Sequence, residues 1–256
     1  MIELRSTREI EAMRPAGRFV ADVLTELATH VRPGINLLEL DAIAHEMIRS
    51  RGATSCYIDY HPSFGAMPFG KVLCTSVNDA VLHGLPRDQK LKDGDNVSLD
   101  FAAAVDGWVA DSAITCFVGT PREEDTRMLA VAERALAAGI AAAVPGNRIG
   151  DISAAIGGTV TGAGYKVNVQ FGGHGVGRSM HGDPHVPNQG QARKGIAIEP
   201  GLVIAIEPWF FAKGDRIRFD KDGWTIRSDN GSRGVHVEHT IAVTKDGPLV
   251  LTDRAR

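Results

Sequence analysis

Apolar residues recur at helical spacing at the start of the chain. Ile10, Met13, Val20, Leu24, Leu27 and Val31 follow the capping-box pattern Ser6-Thr7-Arg8-Glu9. Pro15 within that run predicts a bend or break near its start, because proline has no N–H for the i→i−4 bond. Asn36 with Glu39 predicts a second helix through Met47 and Ile48 that stops near Gly52. An Ala-rich third helix is expected over 122–144, closed by Pro145-Gly146. A fourth follows over about 151–161, weakened by Gly157-Gly158. Strand patterns cover 71–77, 96–105, 108–118, 202–211, 224–227 and 235–244. Helices and antiparallel hairpins thus recur by half, an α+β pattern with no low-complexity linker between independent domains.

The chain also echoes itself. Val31-Arg32-Pro33-Gly34 returns as Val144-Pro145-Gly146, more than a hundred positions later. Likewise Gly94 leads through Val97 and Leu99 to Asp100, as Gly201 leads through Ile204 and Ile206 to Glu207. A repeat this long predicts two helix–helix–strand halves, roughly 6–120 and 121–250, about a pseudo-two-fold axis in one domain. It also places two carboxylates in equivalent positions.

Composition narrows the class. The 256 residues are 43% hydrophobic and 23% charged, as in an ordinary globular protein with a sizeable core. The formal net charge of −3 gives no general pull toward DNA or a membrane surface. No apolar run is long enough to cross a bilayer, and the charged start lacks the apolar stretch of a signal peptide. Cys56, Cys74 and Cys116, an odd set without CxxC spacing, fit a reducing cytoplasm better than a disulfide framework.

Acids in apolar surroundings are the informative feature. Asp100 follows Val97-Ser98-Leu99, and Glu207 follows Val203-Ile204-Ala205-Ile206. A carboxylate there must be neutralised, paired or bound to a metal. Asp106-Gly107 is a hairpin signal. As a two-residue loop it sets Val105 opposite Trp108 and Ala102 opposite Asp111, so Asp100 and Asp111 share a face as diagonal neighbours. Taken alone, Glu238 in Val235-His236-Val237-Glu238-His239-Thr240-Ile241 reads as an exposed strand residue. His174 in Phe171-Gly172-Gly173-His174-Gly175-Val176-Gly177 reads alone as a loop residue, among glycines that permit close backbone approach. That run lacks the Gly-Lys-Ser/Thr ending of a phosphate-binding loop.

Together these segments resemble the methionine aminopeptidases. The resemblance rests on the stretch from Phe171 through His174 to His181, Ile204-Ala205-Ile206-Glu207-Pro208, Val237-Glu238-His239-Thr240, Asn78 to His83-Gly84, and the Asp100/Asp111 hairpin. It spans about residues 9–250 and implies the pita-bread fold, two pseudo-symmetric halves around a central antiparallel sheet. By position it implies that Asp100, Asp111, His174, Glu207 and Glu238 bind two divalent ions, with Asp111 bridging. The ions would be Co, Mn, Fe(II) or Zn, which suit an oxygen-rich set with one imidazole. Four ionised acids converging without cations would repel by about 3 kcal/mol per pair at ~5 Å and an effective dielectric of ~20.

The resemblance further implies removal of the initiator methionine from nascent polypeptide N-termini, with small second residues preferred. Glu207 would exchange the water proton with the leaving amine. His83 and His181 would hydrogen-bond the scissile peptide. Cys74, Met180 and Trp224 are candidate walls of the methionine pocket, joined by Tyr57, Tyr60 or Phe64 from the loop before Lys71. The spacing from His181 to Glu207 leaves no room for the type II insertion and matches the short bacterial type I form. Gly182, Gln189 and the long, Pro- and aromatic-rich 57–71 loop depart from the family pattern. A cytoplasmic monomer is expected, with transient ribosome contact open to basic residues such as Arg51, Lys71, Arg216 and Arg218. The rival readings are an Xaa-Pro peptidase of the prolidase or aminopeptidase P type and a non-catalytic binding protein on the same scaffold.

Overall fold

The computed structural model describes residues 2–62 and 67–255. Helix α1 spans Thr7–His30 behind a complete capping box: Glu9 N–H donates to Ser6 Oγ, and Ser6 N–H donates to the Glu9 carboxylate. It runs through Pro15 without the expected break. Met13, Ala16, Phe19 and Val20 on both sides of the proline are buried, and that packing outweighs one missing backbone bond. Helix α2, Leu37–Arg51, starts at the Asn36 cap and stops at left-handed Gly52. Helices α3, Glu123–Ala142, and α4, Ile149–Gly162, repeat the pair later in the chain. The Gly157-Gly158 pair does not shorten α4: Gly157 lies where a Cβ would crowd Asn188 and Gln189, so it permits close packing.

In the first half the strands are β1 Thr54–Ser55, β2 Cys74–Val77, β3 Ala80–Leu82, β4 Asn96–Val105 and β5 Trp108–Phe117. In the second they are β6 Lys166–Val167, β7 Gly172–Gly175, β8 Gly182–Pro187, β9 Val203–Ile206 and β10 Trp209–Phe211. These are followed by β11 Ile217–Phe219, β12 Ile226–Ser228, β13 Gly234–His236, β14 His239–Thr244 and β15 Gly247–Val250. All recorded pairings are antiparallel and form sheets in the orders β1-β4-β2 with β5 on β4, β13-β10-β6, β11-β12-β3 and β15-β14-β9-β7-β8. The architecture is the pita-bread fold.

Two expected strands divide. The segment 202–211 becomes β9 and β10, which lie in different sheets, and 235–244 becomes β13 and β14, likewise divided. Pro208 has no N–H to continue a ladder, and its carbonyl accepts instead from Val237 N–H. Glu207 and Glu238 sit at these two interruptions. The glycine run at 172–175, expected as loop, is strand β7. Its glycines answer to space: a Cβ on Gly173 would lie 2.2 Å from the Ala205 carbonyl oxygen.

The helices cover the outer faces. α1 and α2 pack Phe19, Leu24 and Leu40 against Val97, Leu99 and Phe101 of β4. α3 and α4 pack Met128, Ala132, Ile152 and Ile156 against Ile204, Ile206 and Val235. A third cluster joins β4, β5, β9 and β14 through Ala102, Val109, Val203, Ala205 and Ala242. At about 25 cal/mol per Å² such burial supplies the main stabilising term, and it brings the inner faces of the two halves together.

Candidate metal centre

The β4–β5 hairpin closes on Asp106 and Gly107, both with positive φ (52° and 73°), as a two-residue turn between twisted strands requires. Val105 pairs with Trp108 and Ala102 with Asp111, the register that sets Asp100 and Asp111 on one face. From the opposite side come His174 on β7, Glu207 just past β9 and Glu238 just before β14. All five side chains line one cavity of about 50 Å³. His174 Nε2 lies 3.9 Å from Asp111 Oδ2 and 3.6 Å from Glu207 Oε1.

The acids are buried; Asp111 is 4% exposed and Glu238 2%. Glu238 is therefore not the exposed strand residue that its sequence alone suggests. It lies in the interruption between β13 and β14, and its side chain is enclosed between the halves. Burial, then Asp100 and Glu207, push the Asp111 carboxyl well up. Burial, then Asp111, Glu207 and Asp100, do the same to Glu238. Burial also works to raise Glu207, but the His236, His174 and His181 imidazoles outweigh it and hold that carboxyl below its ordinary value.

This donor set fits divalent cations. Glu238 Oε1 is buried without a hydrogen-bond partner among the described residues. Ligand atoms of Asp100, Asp111 and Glu238 form one group within reach of a single ion, and those of His174, Glu207 and Glu238 a second. Glu238 is common to both, while Asp111 also groups with His174 and His181. The two groups are consistent with a dinuclear divalent centre.

The remaining expected residues gather at the same cavity. His83, His181, Cys74, Met180 and Trp224 line it, as do Tyr57 and Tyr60. Phe64 lies outside the described residues. His83 has φ 54° and meets Phe171 and Trp224 edge-on. Burial lowers its pKa, and burial followed by His174 lowers that of His181, so both rings are neutral at pH 7, each with one donor and one acceptor. The His174 and His181 rings meet edge-on at 4.4 Å. Gly182 has room for a side chain, its nearest neighbour being Gly175 O at 3.6 Å, and Gln189 packs on α4 away from the cavity lining.

Sequence reasoning missed two partners. Tyr57, considered only as a pocket wall, donates its hydroxyl to Asp100 Oδ1 at 2.5 Å and approaches Asp111 Oδ1 at 3.3 Å. His236, 1% exposed, lies 3.6 Å from Glu207 Oε2 and 4.0 Å from Glu238 Oε2. Its place two residues before Glu238 was the available signal. Described residues from both ends of the 57–71 segment reach the cavity: Tyr60 Oη meets His181 Nδ1 at 2.9 Å, and Trp224 Nε1 donates to Met67 O at 3.1 Å.

Comparison with known proteins agrees with this geometry. Residues 11–245 match the model of Metallopeptidase family M24. The methionine aminopeptidase of Aquifex aeolicus is 42% identical over 255 residues, covering 98% of this chain and 99% of that protein. Methionine aminopeptidase 1 of Bacillus subtilis is 39% identical, at 98% and 99% coverage. The chain belongs to the type I methionine aminopeptidases of family M24. Among solved methionine aminopeptidases, that of Rickettsia prowazekii superposes with TM-score 0.95 at 33% identity, covering 99% of this chain and 100% of the other. The prolidase of Pyrococcus furiosus shares the fold at TM-score 0.77 and 21% identity, with the match covering 66% of it. Family M24 membership makes this a metal-dependent hydrolase.

Proposed function

We propose that this protein removes N-terminal methionine from polypeptides, with Asp100, Asp111, His174, Glu207 and Glu238 holding two divalent ions. The observation that carries the reading is the convergence of these five side chains on one cavity that shares its lining with Cys74, Met180, Phe69 and Trp224. An acidic centre beside an apolar wall suits a substrate with a free amine and a thioether side chain. An open groove of about 530 Å³, lined by Ser179, His181 and Asp183, continues outward from His181 and offers the following residues a path.

Bound divalent ions supply Lewis-acid activation of water and polarisation of the scissile carbonyl. Glu207, kept ionised by His236, accepts the proton of the attacking water and returns it to the leaving amine. Neutral His83 and His181 hydrogen-bond the peptide undergoing cleavage and stabilise charge as it develops. With His181 Nδ1 engaged by Tyr60, Nε2 is the nitrogen that meets the substrate. The apolar wall orients methionine and excludes water.

The finer reading is excision of the initiator methionine from nascent chains in the cytoplasm, before small second residues, by a monomer that meets the ribosome transiently. Among the described residues no helix is long and apolar enough to cross a membrane. We also read the chain as one catalytic domain of two related halves. Gly34 and Gly146 share φ near 90°, and Asn36 bridges to Lys90 as Arg148 bridges to Ala197.

The test is to reconstitute the protein anaerobically with Co(II), Mn(II), Fe(II) or Zn(II) and compare Met-Ala-Ser with Xaa-Pro peptides, using Glu207→Ala as control. Release of methionine only with metal and intact Glu207 is expected. Faster cleavage of Xaa-Pro peptides would instead assign a prolidase-like activity.

A further inference from the structure

The segment that follows β15 returns along the outer side of β5, behind the acids. Leu251 N–H donates to Thr240 O at 2.9 Å, and the Leu251 carbonyl oxygen occupies the place a Cβ on Gly17 would need. Thr252 is fully buried; its Oγ1 accepts from Thr240 N–H at 3.1 Å and faces His239 Nδ1 at 2.9 Å. Arg254 then turns inward. Its Nη1 donates to Ser112 Oγ at 2.7 Å, and its Nη2 lies 3.4 Å from His239 Nε2. Ser112, fully buried, donates in turn to the Glu238 carbonyl oxygen at 2.6 Å.

The direction of this relay is set by chemistry. A guanidinium has donors and no acceptor, whereas a serine hydroxyl has one proton. With Arg254 donating to its oxygen, Ser112 must point that proton elsewhere, and the Glu238 carbonyl receives it. The bond matters because Glu238 lies between β13 and β14, where no continuous ladder fixes the backbone. Its N–H is held by Ala113 O at 3.0 Å and its carbonyl by Ser112. Glu238 is also the side chain common to both candidate metal groups, so its displacement would disturb both ions.

We propose that Arg254 is a positioning residue for the metal centre: through Ser112 it fixes the backbone of Glu238 and so sets the affinity for divalent metal. The inference rests on the metal-centre reading above. Outer partners that orient a metal ligand are commonly worth about 10–100-fold in affinity.

The test uses the full chain, stripped of metal and titrated with Co(II) by calorimetry, with the Co(II) absorption spectrum recorded at saturation. Arg254→Met and Ser112→Ala should each weaken binding about 10–100-fold and alter the spectrum. The double variant should be no weaker than the worse single one. Arg254→Lys, which keeps a donor, should recover most of the affinity. At saturating metal, KM for Met-Ala-Ser should stay unchanged. Wild-type affinity in Arg254→Met, equal losses in the Met and Lys variants, or multiplying losses in the double variant would each overturn the relay. If Arg254→Met does not fold, Ser112→Ala decides alone, with unchanged affinity counting against the proposal. A wild-type protein that binds no Co(II) would remove the metal-centre reading itself, and this inference with it.

Discussion

Thr240 holds the backbone of Asp111 twice. Asp111 N–H donates to Thr240 Oγ1 at 3.0 Å, and Oγ1 donates to the Asp111 carbonyl at 2.7 Å. In the hairpin register Ala102 faces Asp111 at a position where neither residue bonds its partner across the β4–β5 ladder, so these backbone groups point outward. A hydroxyl from the other half takes the place of the missing strand. Nearby, Ser112 bonds Glu238 and Thr115 bonds His236 across the same seam.

Thr240→Val keeps the shape and removes both bonds. A buried backbone N–H and carbonyl lose their partner, which costs about 1–3 kcal/mol. Chemical denaturation of metal-free protein should show that loss, and metal affinity should fall with it; unchanged values in both would mean Asp111 is held by packing alone.

The clustered acids predict an unusual pH dependence for metal-free protein. Asp111 and Glu238 are raised above their unfolded values, so their contribution is full below about pH 4 and is lost as pH rises through their folded pKa values. Glu207, held low, contributes in the opposite sense, gaining as pH passes its unfolded value. The lowered imidazoles of His83 and His181 add a gain as pH rises toward their unfolded value of about 6.5, whereas Asp111 and Glu238 together give a decline from about pH 4 upward. Divalent metal should cancel it. Urea midpoints at pH 5 and pH 7.5, with chelator and with metal, measure the difference. Chelated protein carrying Asp111→Asn and Glu238→Gln should lose that decline; a pH dependence equal to the parent's would contradict the arrangement.

Tyr57→Phe deletes the hydroxyl that donates to Asp100 and lies 3.3 Å from Asp111. Metal-free protein should lose about 1–3 kcal/mol, since removing one partner leaves a buried polar group unsatisfied. Metal-loaded protein should lose less, because cations satisfy the same oxygens. Parallel denaturation curves in the two states provide the comparison.

His181→Ala should lower the rate about 10²–10³-fold while bound metal, counted by elemental analysis, stays the same. The check is pointed because His181 also groups with Asp111 and His174 within ligand distance. Loss of metal in this variant would make His181 a ligand rather than a substrate contact.

Much of the site was legible from local chemistry. Asp106-Gly107 permits one tight turn, which fixes the register and puts Asp100 and Asp111 on one face. The apolar run before Glu207 requires burial, and burial requires a counter-charge. The interruption at Glu238 was not legible, because 235–244 keeps a strand-like pattern to its end, whereas Pro208 beside Glu207 was a signal that 202–211 would divide. Where such a segment changes sheets depends on which partner edge it meets.

The sequence alone determined the α+β class, the helix caps, the hairpin register and the need of its buried acids for cations, because each follows from neighbours a few positions apart. Only the tertiary structure decided that Thr240, His236 and Tyr57 stand behind those acids, and that Glu238 is enclosed. Those contacts join residues far apart in the chain, and long-range packing selects them without leaving a local pattern.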